Sequence, residues 1–587
     1  MPGSQIKIQS SSAGIKCFTA ALLLFSLVPA IALVPRILHS WVNIPYWDDW
    51  ITPGHQLLKL LQGKLTIGEL FSPHNQSRPF FPRLVLIPLD WWGWDVRKAM
   101  SAIFLMVCAA SFLLFRLLGR LRCLTMFEKP LLFLLINAVL FWPNSEIWTF
   151  ENTFMMVWPP AMLLCALLVN LSGVSFRKKV FLNSFLATVA TYSWANGMLL
   201  WIFALPLPAT AFSAQGFRDA EAKWYRFYGL ACAINLGFYF YGLPHAGLSW
   251  NAPAVLDYFF IWLGGFFGDF RHARFLGLCV FALYAVLAGG HLYIASKRRE
   301  FSGGYPWLVL GAYAIASGIM TAMGRIQFGM EQAMSPRYTA VSGYLYIAII
   351  GLGYLAWSRA YREWAPKKAH LTSLAAIVLA GLMAPAVVHG YKRGAEYFND
   401  VHVLRKTVLS AWQWSKVMPG NAGLSLMYPS GELGHWGTEL ENNHVLRVER
   451  WSPEVSANWN FNQDASAANN DGVLNICNIE PGVNRFVVEG WSRLPGREGP
   501  ADYVLITLRG SDGITRPFLM LPADNRVRPD VVAALGDKHM LHSGFRQDVA
   551  AETLPAGRLT VTAWAVDMEH GTIAPLANPR ILEARGN

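Results

Sequence analysis

Two acids stand side by side between tryptophans, Trp47-Asp48-Asp49-Trp50, a few residues beyond a long charge-free run. A carboxylate next to an apolar phase is partly desolvated, which suits Asp48 and Asp49 to general-base or metal-binding chemistry. A plainer role is also open to them, capping the helix that Thr52 and Pro53 would start. Far along the chain, Gly324-Arg325 and Ser335-Pro336-Arg337-Tyr338 flank one short loop. Arg325 and Arg337 are of the right type to clamp a phosphate, because each guanidinium fork matches two of its oxygens; alternatively they end two spans and reach for lipid head groups. Glu146 and Glu151-Asn152 lie in a loop without Lys or Arg. With Asp48 or Asp49 those glutamates could complete an oxygen-rich site for magnesium or manganese, or each is a solvated loop acid. His74-Asn75-Gln76-Ser77-Arg78 and Arg83 offer groups to orient a substrate, and the two arginines could also meet phosphate. Glu331 and Gln332 could touch hydroxyls, whereas His245, His272 and His291 read as packed side chains.

The elements that must position these groups are transmembrane helices. Of 587 residues 54% are hydrophobic and only 15% charged, with 24 Trp and 36 Phe, a load that ordinary soluble proteins of this length do not carry. A helix needs roughly 17 to 25 apolar residues to cross a hydrocarbon layer of about 30 Å. Runs of that kind lie between Lys16 and Arg36, Lys98 and Arg116, Lys129 and Glu146, and Glu151 and Arg177. The stretch from Lys179 to Arg218 has room for two helices, with Trp194-Ala195-Asn196-Gly197 as the turn. Further runs begin after Arg226, Arg274, Glu300, Arg337 and Lys368, so that eleven spans are expected. Tyr258 to Gly268, short and glycine-rich, reads as an interfacial or re-entrant piece.

Left uncounted, that piece lets every Lys/Arg cluster fall on one side: Arg116/Arg120/Arg122/Lys129, Arg177/Lys178/Lys179, Arg218/Lys223/Arg226, Lys297/Arg298/Arg299 and Arg359/Arg362/Lys367/Lys368. Cations in short loops mark the cytoplasmic face. The amino terminus is then cytoplasmic, the first span an uncleaved anchor, and the carboxyl terminus extracytoplasmic. The net charge of +12 is mostly this topological signal, and no nucleic-acid motif is visible. Cys477 is the only cysteine of the C-terminal region, which rules out a disulfide within it, and without a C-x-x-C pair zinc is not expected.

Residues 1–391 therefore form a transmembrane module whose first outer loop, 40–98, is long and rich in aromatic and charged groups. In that loop a short amphipathic helix is expected over His55 to Leu61, and Trp91, Trp92 and Trp94 read as membrane-interface anchors. Residues 392–470 read as a helical and irregular connector. From 471 to 587, alternating runs such as Arg485 to Trp491, Tyr503 to Leu508 and Leu559 to Trp564, set between turns, predict an extracytoplasmic β-sandwich.

A first span, a large outer loop opened by an acidic pair, many further spans, an Arg-bearing late loop and an outer C-terminal domain together resemble the GT-C superfamily of integral membrane glycosyltransferases. Bacterial GT-C-like proteins with a W-D-D-W opening often continue with H-N-E-H-R. Here the run is His74-Asn75-Gln76-Ser77-Arg78, without the inner acid and second histidine, so a metal-ligand role does not carry over to it while His74 and Arg78 remain available to substrate. The resemblance implies a polyprenyl-phosphate sugar as donor, a glycan, lipid or protein of the cell envelope as acceptor, the bacterial cytoplasmic (inner) membrane as location, and Asp48 or Asp49 as catalytic or metal-binding acid. A second-loop acid would assist, and magnesium or manganese is the metal to consider. Rival readings are a transporter or flippase of lipid-linked sugars, a polysaccharide polymerase or ligase of another fold, and a non-catalytic assembly protein. Spans almost free of ionisable groups speak against the transporter.

Overall fold

A computed structural model describes residues 13–121, 124, 128–208, 211, 221–243, 249–268, 270–298, 301–363, 365–463, 471–480 and 484–584, with 13–16, 298, 359–363, 365–384 and 386 described by backbone alone. Arg122, Arg218, His245, Arg299 and Glu300 lie outside the described residues. Among those described, six helical stretches are long and apolar enough to cross a membrane: Cys17–His39, Val96–Leu118, Glu151–Asn170, Phe270–Lys297, Tyr305–Phe328 and Pro336–Ser358. The chain is thus a polytopic helical membrane protein with a C-terminal sheet domain.

Several other expected spans take different forms. Glu128–Leu140 has 13 residues and Phe176–Thr191 has 16, both short of a full crossing at 1.5 Å per residue. The partner of the latter is only a 3-10 turn, Ala195–Leu199, and one helical turn, Leu200–Phe203. Pro206 and Pro208 follow at once and supply no N–H to continue a helix. Side-chain amides take over the backbone there: Asn183 Nδ2 donates to Ala204 O at 2.8 Å, Asn170 Nδ2 to Leu205 O at 2.9 Å, and the Leu207 N–H to Asn170 Oδ1 at 3.1 Å.

The short apolar piece is a helix that starts earlier than its charge-free run suggests, Ala252–Gly264, closed by a 3-10 turn and by Gly268 at φ 75°. It packs on Phe270–Arg298 through two glycines. A Cβ on Gly264 would lie 1.8 Å from Ala273 O, and one on Gly277 1.9 Å from Phe260 O, so these helices meet backbone to backbone. Gly277→Val is expected to force them apart and to lower the thermal unfolding midpoint of the detergent-solubilised protein by several degrees; an unchanged midpoint contradicts this packing.

Two compact units divide the chain, and they cut across the sequence-derived boundaries. One comprises Met1–His39, Leu65–Leu86 and Lys98–Phe398; the other comprises Ser40–Lys64, Ile87–Arg97 and Asn399–Asn587. Both ends of the first outer loop therefore belong with the C-terminal residues.

Among the described residues of this second unit, eight strands form two antiparallel sheets: β1 (Gly472–Glu480), β2 (Arg485–Ser492), β3 (Tyr503–Arg509), β4 (Thr515–Pro522), β5 (Gly544–Ala550), β6 (Gly557–Asp567), β7 (Thr572–Pro575) and β8 (Arg580–Ala584). One sheet has the order β1-β2-β5, the other β4-β3-β6-β7, with β8 on the second edge of β6. Leu474, Phe486, Val488 and Phe545 of the first sheet share a core with Val504, Ile506, Leu519, Leu521, Val561 and Ala563 of the second. The alternate residues Leu505, Met520, Trp564 and Val566 are buried on the opposite face against Trp414 and Met418. Covered on both faces, β3 reads as the near-continuous apolar run Tyr503-Val504-Leu505-Ile506-Thr507-Leu508.

The β6–β7 turn carries a local ion pair: Asp567 accepts the Glu569 N–H at 2.9 Å and lies 2.8 Å from His570 Nδ1. Hydrogen bonding to Asp567, then its charge, raises the His570 pKa above 6.5, while Asp567 is held below its ordinary 3.8 although burial opposes this. The pair supports folding fully below the imidazole's unfolded value and loses that support as pH rises through the folded one; at the acid end it fades as pH falls through the lowered Asp567 value. An NMR titration is expected to place His570 above 6.5, and Asp567→Asn to return it toward that value.

Candidate functional site

Trp47–Trp50 form a single 3-10 turn, entered through Trp47 at φ 51°. The turn is seated by Trp50, which is buried edge-on to Trp94 at 5.3 Å and 6.2 Å from Trp412, with its indole N–H donating to Pro45 O at 3.3 Å. Trp94 corrects the interface-anchor expectation: it is fully buried, and its N–H donates to Val445 O, whereas Trp92 is exposed. Apolar contact with Trp50 outweighs lipid contact here because the whole indole leaves solvent.

The two acids of the turn have different environments. Asp49 is 0% exposed; one of its oxygens accepts the Tyr46 N–H at 3.0 Å and lies 3.6 Å from Arg405 Nη1. Arg405 is itself buried, donates from the same nitrogen to Ile44 O at 2.7 Å, and lies 4.8 Å over the Tyr46 ring. Asp49 is therefore built into the unit as a buried charge with a matched partner. Asp48 is half-buried, and its carbonyl accepts the Ile51 and Thr52 N–H groups.

Aromatic side chains gather near Asp48. The His55 ring stacks on Trp436 with centroids 5.7 Å apart and planes 19° from parallel, and Tyr428 lies 6.1 Å from Trp436. All three are half-buried. Burial pushes the Tyr428 phenol up, and the carboxylates of Asp48 and Glu432 push it the same way. The helix Gly54–Leu61, close to the sequence-derived one, carries His55, and Leu433–Asn442 carries Trp436 and, one turn on, Glu439. Glu439 accepts from Gln62 Nε2 at 3.0 Å.

The first unit holds the late-loop arginines. Arg337 forks onto Glu146, Nε to Oε2 at 2.8 Å and Nη2 to Oε1 at 2.9 Å, with Phe150 beneath at 5.9 Å. A phosphate would have to displace a well-matched carboxylate there. A neighbouring cavity of about 20 Å³, lined by Ser145, Thr339 and Tyr344 among apolar side chains, has room for a water and not for a sugar. Tyr338 and Glu151 are buried. Arg325, at the end of Tyr305–Arg325, lies 5.5 Å over the Phe328 ring, with no carboxylate in ion-pair range among the described residues, which makes it the arginine of this pair better suited to an anion. Glu331 is exposed, as is His272, and His291 is buried.

His74 to Arg83 also belong to the first unit and serve its architecture. His74 and Ser77 exchange backbone hydrogen bonds at 2.8 and 2.9 Å around Asn75 at φ 51°, a tight turn that Asn tolerates. Ser77 Oγ accepts the Ala195 N–H, and Gln76 O accepts from Tyr239 Oη. Arg78 donates to the carbonyls of Tyr239, Phe71 and Tyr241, and Arg83 to those of Leu70 and Ser72. Both guanidiniums are buried and directed at the chain itself.

As for magnesium or manganese, no three His, Cys, Asp or Glu side chains among the described residues come close enough to hold a metal ion. Asp49 pairs with Arg405 and Glu146 with Arg337. No family model matches the chain, and comparisons with curated proteins and with solved structures return no match. Arg405, Tyr428, Trp436 and His55 carry no sequence signal as site residues. A lone Arg in a helix and single aromatics in polar stretches become notable only when the fold sets them beside the acidic turn.

Proposed function

We propose that the chain is a membrane glycosyltransferase of the GT-C kind, moving one sugar from a polyprenyl-phosphate carrier to a cell-envelope acceptor. The observation that carries this reading is the division of labour in the Trp47–Trp50 turn, where buried Asp49 fixes the backbone on Arg405 and Asp48 is presented half-exposed. A fixed carboxylate beside aromatic rings suits a general base for an acceptor hydroxyl. Asp48 takes the hydroxyl proton as the acceptor oxygen bonds to the anomeric carbon. The bond from that carbon to the phosphate oxygen breaks, polyprenyl phosphate leaves, and a single displacement inverts the anomeric centre.

The location follows the same reading: a multi-pass protein of the bacterial cytoplasmic membrane, with about eleven crossings, counting short and bent segments. Ser40–Lys64 and Asn399–Asn587 share one compact unit, which fits a placement of both on one side of the membrane. Among the described residues, one candidate span, Cys17–His39, precedes Ser40. That supports an extracytoplasmic sheet domain opposite a cytoplasmic amino terminus, in line with the cationic loops.

Proteoliposomes loaded with a fluorescent polyprenyl-phosphate sugar test the reading against the flippase. Transfer of the sugar with release of the carrier phosphate supports it, and transbilayer movement of intact carrier without transfer overturns it. Arg325→Ala is expected to weaken equilibrium binding of polyprenyl phosphate by about tenfold or more, since one charge-assisted phosphate contact is lost. Unchanged affinity removes Arg325 from phosphate binding.

A further inference from the structure

Among the described residues of the second unit, Trp92 has the most exposed indole, at 73%. Its carbonyl is taken by a side chain 355 residues further on: Arg447 Nη2 donates to Trp92 O at 2.7 Å. Gly93 makes this approach possible, since a Cβ there, at φ 120°, would lie 2.6 Å from Arg447 Nε. Trp94 and Leu446 form a parallel bridge, and the Trp94 N–H donates to Val445 O at 2.6 Å, which fixes the segment that carries Arg447.

Position along the chain says what this pair faces. The candidate span Val96–Leu118 begins just after Trp92, within roughly 14 Å of extended chain. Its 23 residues rise about 35 Å, more than a hydrocarbon layer of about 30 Å, so its ends stand among lipid head groups. Indoles favour that depth. Arg447 is exposed, and of its five N–H groups one is directed at Trp92 O and one, at 3.5 Å, at His444 O. No carboxylate of the described residues lies in ion-pair range of it. A guanidinium held at head-group depth with donors to spare matches a lipid phosphate. A net-negative lipid suits it better than a zwitterionic one, whose own ammonium offsets the phosphate.

We propose that Arg447 and Trp92 form a binding site for the phosphate of an anionic phospholipid, in the leaflet at which the Val96–Leu118 span begins. The indole lies among the head groups and the guanidinium pairs the phosphate. This site goes beyond the sugar-transfer reading and stands without it.

The test uses the full-length protein in lipid nanodiscs containing phosphatidylglycerol or phosphatidylcholine with a diazirine at the head group; after illumination, the labelled peptides are mapped by mass spectrometry. In the wild type, peptides bearing Trp92 and Arg447 should carry about fivefold more label from phosphatidylglycerol, the scale of one basic side chain at an anionic surface. Arg447→Gln, which keeps an amide donor for Trp92 O, should bring that ratio close to one. Arg447→Lys keeps the charge and should retain most of it. Label on Tyr241, an exposed ring of the first unit, should respond to neither substitution; a parallel loss there would mean a general change in the bilayer surface and overturn the site. A wild type labelled equally by the two lipids, or not labelled at Trp92 and Arg447, overturns it with no variant needed, and so does a ratio that folded Arg447→Gln leaves unchanged. Displacement of the label by equimolar polyprenyl phosphate would make that carrier the occupant and overturn the phospholipid assignment.

Discussion

Arg405→Ala is expected to destabilise the second unit by about 3–5 kcal/mol, the cost of leaving one charge of a buried pair without its partner. No solvent screening softens the loss, since Asp49 is 0% and Arg405 2% exposed. The variant also deprives Ile44 O of its donor and uncovers the Tyr46 ring. Removing both charges should cost less than removing the cation alone, so Asp49→Asn/Arg405→Ala is expected to regain part of the stability lost in Arg405→Ala. Pulse proteolysis of the full-length protein across a urea series reads both, through the urea concentration at which the second unit becomes cleavable. Additive effects of the two single substitutions would mean that the 3.6 Å pair is not coupled.

Asp48→Asn carries the largest expected effect on activity. An amide keeps the size and most of the hydrogen bonding of the carboxylate but cannot take a proton, and loss of a positioned general base costs typically 10²–10⁴-fold in rate. Asp48 is half-buried where Asp49 is fully buried, so Asp48→Asn is expected to lower the unfolding midpoint less than Asp49→Asn does. Asp49→Asn should behave in the opposite sense, losing stability first and activity only as the turn loosens. Initial rates of sugar transfer, measured beside thermal melts for both variants, separate the two roles. A common phenotype would contradict the division of labour between these neighbours.

Much of the architecture is legible in the sequence because membrane helices and amphipathic strands announce themselves by local pattern. Charge-free runs locate the six long helices, and the alternation of Arg485 to Trp491 and Leu559 to Trp564 locates β2 and β6. Where tertiary partners decide, local pattern fails. The second half of the Lys179 to Arg218 run is apolar enough for a helix, yet its backbone is held open by Asn170 and Asn183 from other segments. Trp94 is as apolar in a water-facing loop as in a packed core, and only Trp50 and Val445 decide which it is.

The candidate site shows the same limit. Asp48 and Asp49 are visible as a pair, but nothing nearby distinguishes them; the distinction comes from Arg405, far downstream. Arg78, Arg83 and Arg337 have the right chemistry for phosphate, while their guanidiniums are taken by carbonyls and by Glu146, partners that residue type alone does not reveal. Arg325 keeps its candidacy for the converse reason.

The most direct measurement is a single-turnover experiment in which wild type and Asp48→Asn, each in excess over a polyprenyl-phosphate sugar labelled in the sugar, are mixed with a cell-envelope glycan acceptor and quenched over time. Wild type should convert the label to glycan product with matching appearance of free polyprenyl phosphate, and Asp48→Asn, at a temperature where it is folded, should lag by at least about a hundredfold. Equal rates in the two proteins, or a wild type that leaves the donor intact, would contradict the assignment of Asp48 as the base of a sugar transferase.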